Sequence, residues 1–179
     1  EEKSEAPTEV PSILVKEANV SVLWQNESIT SKWNNITNVH EVFGNPTTFT
    51  IEAAGELLKS FTSSGEFWID GDGVDASQVW QLAGVNMSNI SFSGNETLNA
   101  VLKSALMKTN GSMKVTDNIL SGTGEVDLQQ QLVMEATGTS DITSAIAQAL
   151  QTLTSLNMTM LLDGTLSDPG FNIKSDLDN

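Results

Sequence analysis

Cysteine is absent from this 179-residue chain, which excludes a disulfide framework and any thiolate metal centre. That absence leaves the compartment open. Tyrosine is also absent and His40 is the single histidine, so the inventory for acid–base or nucleophilic catalysis is thin. Basic side chains are scarce: 8 Lys and Arg face 23 Asp and Glu, a formal net charge of −15. Nucleic-acid binding needs a basic patch and is excluded as a function class; attraction to anionic membrane surfaces is disfavoured. No run of about 18 apolar residues and no signal-peptide pattern occurs. The chain begins at Glu1-Glu2, which reads as a mature or excised piece with any membrane anchor outside it.

What is present is a moderately apolar chain, 39% hydrophobic and only 17% charged, rich in Ser, Thr, Asn and Gln. An uncharged polar surface of this kind suits the solvated face of a sheet. The length suits one domain. Residues 1–12, acidic with two prolines and no periodicity, read as a disordered linker, and residues 13–179 as a single β-rich domain.

Period-two alternation dominates. Ala18, Val20, Val22 and Trp24 alternate with Asn19, Ser21 and Gln25, as a half-buried strand requires. A return strand over residues 29–39 carries Trp33 and Ile36 out of phase, which suggests a bulge. Phe49, Ile51 and Ala53 share a face, and short strands are expected over residues 57–61, 65–69 and 87–93. Asn110-Gly111 and Gly122-Thr123-Gly124 read as bends on either side of a strand carrying Met113 and Val115. Val126, Leu128, Leu132 and Met134 then alternate. The most regular stretch is residues 156–177. There Met158, Met160 and Leu162 lead through the turn residues Asp168-Pro169-Gly170 to Phe171 and Ile173.

Three segments carry a helical period. Residues 75–83 place Val79, Trp80 and Ala83 together behind a cap at Asp75. Residues 97–108 place Leu98, Val101, Leu102, Ala105 and Leu106 at i, i+3, i+4, i+7 and i+8. Residues 141–156 carry Ile142, Ile146, Ala149, Leu150 and Leu153 behind Ser140 or Asp141. The order helix, hairpin, helix, hairpin over residues 98–179 looks like a weak internal duplication. The fold class expected is α+β, mainly β: a twisted antiparallel sheet with two or three amphipathic helices packed on one face.

Site chemistry is sparse. Asp70, Asp72 and Asp75 bracket glycines as in a calcium loop, but Val74 and Gln81 break the EF-hand pattern, so an acidic turn is the simpler reading. His40 stands beside Glu41, yet no Gly-x-Ser-x-Gly nucleophile elbow accompanies it, and a loop histidine is the plainer account. Asn-x-Ser/Thr occurs at Asn19, Asn26, Asn35, Asn86, Asn89, Asn95, Asn110 and Asn157. Residues i and i+2 share the wet face of a strand, so a face rich in Asn, Ser and Thr generates this motif without glycosylation. No metal and no cofactor is expected.

The last third of the chain carries a resemblance. A helix feeding LNMTMLLDGTLSDPGFNIKSDLDN, with Gly164-Thr165-Leu166, Asp168-Pro169 and Ser175-Asp176-Leu177, resembles the repeated segment of AsmA/TamB-like bacterial envelope proteins. Val115 to Leu128, VTDNILSGTGEVDL, is similar to that family's strand, turn, Gly-x-Gly, strand unit. The resemblance implies a non-enzymatic periplasmic segment, held to the inner membrane by an anchor outside this sequence. It implies a role in lipid transport or outer-membrane homeostasis through an apolar groove. Phospholipid is then the expected partner, and Val20, Val22, Phe49, Ile51, Val126, Leu128, Met158 and Met160 are the candidate lipid-facing residues. The residues alone leave two further readings. One is a closed-core structural or protein-interaction domain, with self-association through an edge strand. The other is a hydrolase.

Overall fold

The computed structural model describes residues 12–71, 73–95 and 97–175. The expected linker, except for Ser12, lies outside the described residues, as do Asp72 and the Asp176-Leu177 end of the terminal motif.

The chain builds one open antiparallel sheet. Its strands are β1 (Leu14–Trp24), β2 (Glu27–Thr37), β3 (Thr47–Ala54), β4 (Phe61–Asp70) and β5 (Gly73–Met87). They continue as β6 (Ile90–Asn95), β7 (Leu98–Thr116), β8 (Ile119–Gly138), β9 (Leu156–Gly164) and β10 (Pro169–Ser175). Neighbours in the sheet follow chain order, β1-β2-β3-β4-β5-β7-β8-β9-β10, with β6 pairing one end of β7 beyond β5. Two helices interrupt the meander: a single turn α1 (His40–Phe43) and α2 (Asp141–Gln151). The expectation of a mainly β, antiparallel architecture therefore holds, while only α2 is long enough to pack on the sheet.

Turn chemistry sets the hairpins. Gln25 and Asn26 both take positive φ (46° and 68°) between β1 and β2, and Asp117 and Asn118 do the same (48° and 66°) between β7 and β8. Two successive left-handed residues make the type I′ turn whose twist matches paired strands. The second turn is also tied sideways. The Asn118 side-chain oxygen accepts from Val74 N at 3.0 Å, and Asp75 Oδ1 accepts from Asp117 N at 2.9 Å. Asp75 thus secures a turn instead of capping a helix.

Residues 75–83 are strand, inside β5. Ala76, Trp80 and Leu82 lie on one face with Ser77 and Gln81 on the other. Val79, 54% exposed among the polar side chains, breaks the alternation and made the segment look helical. Residues 98–108 are also strand, inside β7. On the apolar face stand Leu98, Ala100 and Leu102, then Ala105 and Met107, while Val101 and Leu106 project to the other side. The β7–β8 register shifts between Leu102 and Ser104 and again before Leu106. A bulge inserts one residue and turns a period of two into an apparent period of three. In place of helix, hairpin, helix, hairpin, the element order from residue 98 is β7, β8, α2, β9, β10.

Smaller corrections follow from pairing. Asn110, Gly111 and Gly124 are paired inside the β7–β8 hairpin, not at bends. Residues 57–60 form a loop held to β5 by the bridge from Leu58 to Val85 and by hydrogen bonds from Lys59 N to the Gly84 carbonyl (2.9 Å) and from Ala83 N to the Ser60 carbonyl (2.8 Å). Trp33 and Ile36 sit on opposite faces of β2 around Asn35, whose φ is 55°, without a shift in the β1–β2 register.

The expected C-terminal helix is real and shorter than its pattern. Ser140 caps α2 through a capping box with Thr143, and Leu156 already belongs to β9. Ala147 packs on Ala100 and Ala136, with Leu98, Met134 and Leu150 around them. Gly138 allows the close approach, because a Cβ there would come within 2.1 Å of the Thr143 backbone. A second cluster, Leu102, Ala105 and Leu128 with Met87, Met107, Leu156 and Met158, completes the core beside it.

A candidate lipid-binding face

Antiparallel partners project to the same side of a sheet, so the registers assign every strand residue to a face. One register runs Val20, Ser31, Ile51, Ser63, Trp80, Gly111, Gly124, Met160, Ile173 from β1 to β10. The next, toward one end of the strands, runs Ala18, Trp33, Phe49, Gly65, Gln78, Met113, Gly122, Leu162, Phe171. On the other side stand Val22, Ile29, Ala53, Phe61, Leu82, Thr109, Val126 and Met158. These registers form one apolar face that spans the sheet. The opposite face is mostly polar: Asn19, Lys32, Thr50, Ser64, Ser112 and Thr123 share one of its registers with the exposed Val79 and Leu161.

The eight candidate residues all fall on the apolar face, in four adjacent registers. Val20 and Val22 are about half exposed (49% and 48%), whereas Leu128 is buried at 5% in the cluster with Leu102 and Ala105. Phe49, Ile51, Val126, Met158 and Met160 are half-buried. Sequence reasoning missed Trp80, because residues 75–83 mimic a helix. It noted Phe171 and Ile173 without giving them a role; they are 59% and 52% exposed on β10. Their alternation with Asn172 and Lys174 was the available signal.

Cover for this face is local. The α2 cluster sits over β7 and β8, and the single turn α1 reaches the face only at the opposite strand ends, where His40 packs on Thr47 and Phe67. Elsewhere the side chains shelter one another. Trp33 lies against Phe49 with ring centroids 5.1 Å apart. The Phe49 ring lies over Gly65, and the Trp80 indole over Gly111 and Gly124, where added Cβ atoms would meet it at 2.2 and 3.0 Å. These glycines let large rings lie along the sheet and keep the face low.

Polar atoms on the face are mostly consumed internally. Trp33 Nε1 donates to Ser31 Oγ at 3.0 Å, Gln78 Nε2 to Ser63 Oγ at 2.9 Å, and Ser63 Oγ to the Val79 carbonyl at 3.1 Å. The Thr109 hydroxyl and Glu27 Oε2 are buried without a hydrogen-bond partner. Glu27 Oε1 accepts from Leu57 N at 2.8 Å, which holds the loop after β3 against the β1–β2 turn. With most of its polar groups bonded, Thr109 Oγ1 and Glu27 Oε2 excepted, the face offers chiefly shape and apolar area instead of directional bonds.

The open furrows of about 660 and 820 Å³ across β3, β4, β5, β7 and β8 have a different character. Each takes three successive residues from a strand, such as Val79, Trp80 and Gln81, so two polar-face residues flank one of the apolar face and the floor is backbone.

His40 is fully buried at the other end of the strands and is bound on both ring nitrogens. Nδ1 accepts from Ile69 N at 3.2 Å, so the ring proton sits on Nε2, 3.0 Å from Thr47 Oγ1. That hydroxyl donates in turn to the Asn35 carbonyl at 2.8 Å. Phe67 and Trp68 flank the ring with centroids 5.8 and 5.4 Å away. The histidine joins α1 to β3 and β4. Its neighbour Glu41 faces Asp70 instead, and the shared hydrogen bond and like charge raise the Glu41 carboxyl above its ordinary value. Among the described residues no group of three His, Asp or Glu side chains is arranged to hold a metal ion. No described helix is long and apolar enough to cross a membrane.

No protein-family model, curated protein or solved structure matches this chain.

Proposed function

We propose that the chain is a non-enzymatic lipid-binding segment whose apolar sheet face takes acyl chains. One observation carries this reading: an apolar face spanning the sheet, with helical cover only over β7 and β8 and at the end that holds Thr47 and Phe67. Large contiguous apolar patches are rare on soluble monomers and mark interaction sites. Methyl and aromatic groups aligned across many strands suit long, featureless chains better than a compact polar substrate. Tail affinity would come from buried area at about 25 cal/mol per Å², less the cost of ordering the chain. The polar, acidic opposite face would keep the loaded molecule in solution.

The AsmA/TamB-like affiliation belongs to the same proposal. A meander of consecutive antiparallel strands is compatible with one repeat of a longer groove. A periplasmic setting, an anchor in the inner membrane and a role in lipid transport or outer-membrane homeostasis go with that affiliation.

Native mass spectrometry of detergent-free protein, paired with lipid analysis of an organic extract, tests the proposal. Phospholipid or fatty acid at stoichiometric level is expected, or uptake from added lipid. Val20→Asp and Ile173→Asp should each weaken it. Both positions are half exposed, so the charge enters the face without being forced into the core. A clean apo mass with no uptake would overturn the reading.

A further inference from the structure

The two edges of the sheet differ. β10 is short at seven residues, begins with Pro169 and carries Lys174, features that discourage a further strand. β1 is eleven residues long, runs unbroken, and pairs only with β2 among the described residues. Its outer backbone groups therefore form a template for another strand. Two polar-face residues of β1 are also out of character: Val15 is 41% and Leu23 80% exposed among polar neighbours.

We infer that β1 is a homodimer edge, pairing antiparallel with β1 of a second copy about a two-fold axis through Asn19. Parity limits the registers. For each apolar face to continue into the other, paired residue numbers must sum to an even value. A sum of 38 uses all eleven residues. In that register Val15 meets Leu23 of the partner subunit, so the two misplaced apolar side chains on the polar face cover each other. On the apolar face Leu14 meets Trp24 of the partner subunit, and Ala18 meets Val20 of the partner subunit. Glu17 meets Ser21 of the partner subunit and Lys16 meets Val22 of the partner subunit, so no like charges are opposed.

Shifting the register by two residues spoils this match. A sum of 40 sets Glu17 against Leu23 of the partner subunit, and a sum of 36 sets Val15 against Ser21 of the partner subunit. The strand carries one Lys and one Glu, and Glu17 is already paired to Lys32 Nζ at 3.5 Å. The edge is thus locally neutral although the chain is strongly acidic. Exchanging identical patches makes the interface isologous and closed. The inference does not depend on lipid binding.

The absence of native cysteine makes the register directly readable. Directly opposed residues of an antiparallel pair have Cα atoms about 4.5 or 5.5 Å apart, within the span of a disulfide. Under mild oxidation Asn19→Cys should form a covalent dimer nearly completely, while Asn172→Cys, on the β10 edge, should not. Sedimentation of the unmodified chain should show a concentration-dependent dimer, tighter at higher salt because salt screens the net charge. Leu23→Asp should raise the dimer dissociation constant at least about tenfold, since it removes one buried leucine per subunit from the interface. Circular dichroism of Leu23→Asp should match wild type, because the residue is exposed. A wild-type chain that stays monomeric at high concentration overturns the inference. So does equal crosslinking of Asn19→Cys and Asn172→Cys.

Discussion

Gly111→Ala is a sharp test of how the apolar face is shaped. A Cβ at residue 111 would stand 2.2 Å from Cζ2 of Trp80 and 2.6 Å from the Thr123 carbonyl oxygen. Normal carbon–carbon contact begins near 3.5 Å, so the indole must move by more than about 1 Å or the β7–β8 pairing must open. Two effects compete. Replacing glycine removes backbone freedom from the unfolded chain, a stabilisation of about 0.4–1 kcal/mol where the geometry accepts a side chain. Overpacking costs about 1–3 kcal/mol. The clash involves backbone as well as a ring, so overpacking should win by about 1–2 kcal/mol. For a chain of this size each kcal/mol lowers the melting temperature by about 2–4 °C. The assay is urea unfolding followed by circular dichroism, run as a double-mutant cycle with Trp80→Ala. The Trp80 variant loses its own packing, but Gly111→Ala should cost markedly less in that background, leaving a coupling of about 1 kcal/mol. Equal cost in both backgrounds would show that Trp80 does not lie on Gly111. A neutral or stabilising Gly111→Ala would refute the packing of this face altogether.

Two further outcomes follow from the opposite end of the sheet. Thr47→Val strands the His40 Nε2 proton and the Asn35 carbonyl in a buried place, so it should cost about 1–3 kcal/mol in urea unfolding, with little effect on lipid uptake. The raised Glu41 carboxyl binds its proton more tightly folded than unfolded. Stability should therefore rise as pH falls through its raised value toward the ordinary 4.5, before general acid effects dominate. Asp70→Asn should abolish that rise and stabilise the chain at neutral pH, as read from denaturation midpoints at about pH 7 and pH 5.

The architecture was legible wherever one face is wet and the strand is uninterrupted. Residues 18–22, 47–54 and 156–164 show the alternation because successive side chains meet opposite environments. Reading failed where local order and pairing diverge. The β7 bulge gave a helical spacing to an extended segment, and only the shifted partners on β8 reveal it. Asn110-Gly111 has the composition of a turn, yet Gly111 is needed as floor space for Trp80, a residue thirty-one positions earlier in sequence. The true turn, Asp117 and Asn118, lacks glycine and was passed over; its αL conformation is one that Asn and Asp tolerate. The eight candidate residues could be chosen strand by strand. Their alignment into adjacent registers comes from pairing, which no single strand encodes.

A sheet with one apolar face has three ways to limit its contact with water: cover it with helices, curl so that its side chains shelter one another, or recruit something else. Here the first is confined to β7 and β8, where α2 seats Ala147 on Ala100 and Ala136, and to one end of β3 and β4, where α1 seats His40 on Thr47 and Phe67. The second accounts for the half-buried middle of the face, from Phe49 to Met160. Neither reaches the outer strands, where Val20 and Val22 on β1 and Phe171 and Ile173 on β10 stay about half exposed. The exposed apolar area is therefore concentrated at the two margins. A ligand lying along the face would cover both margins, whereas pairing through β1 would cover only one and leave β10 as it is. The two proposals thus make separable demands on the same surface. Charge at Ile173 should damage ligand uptake and spare the dimer, while charge at Leu23, on the opposite face, should do the reverse.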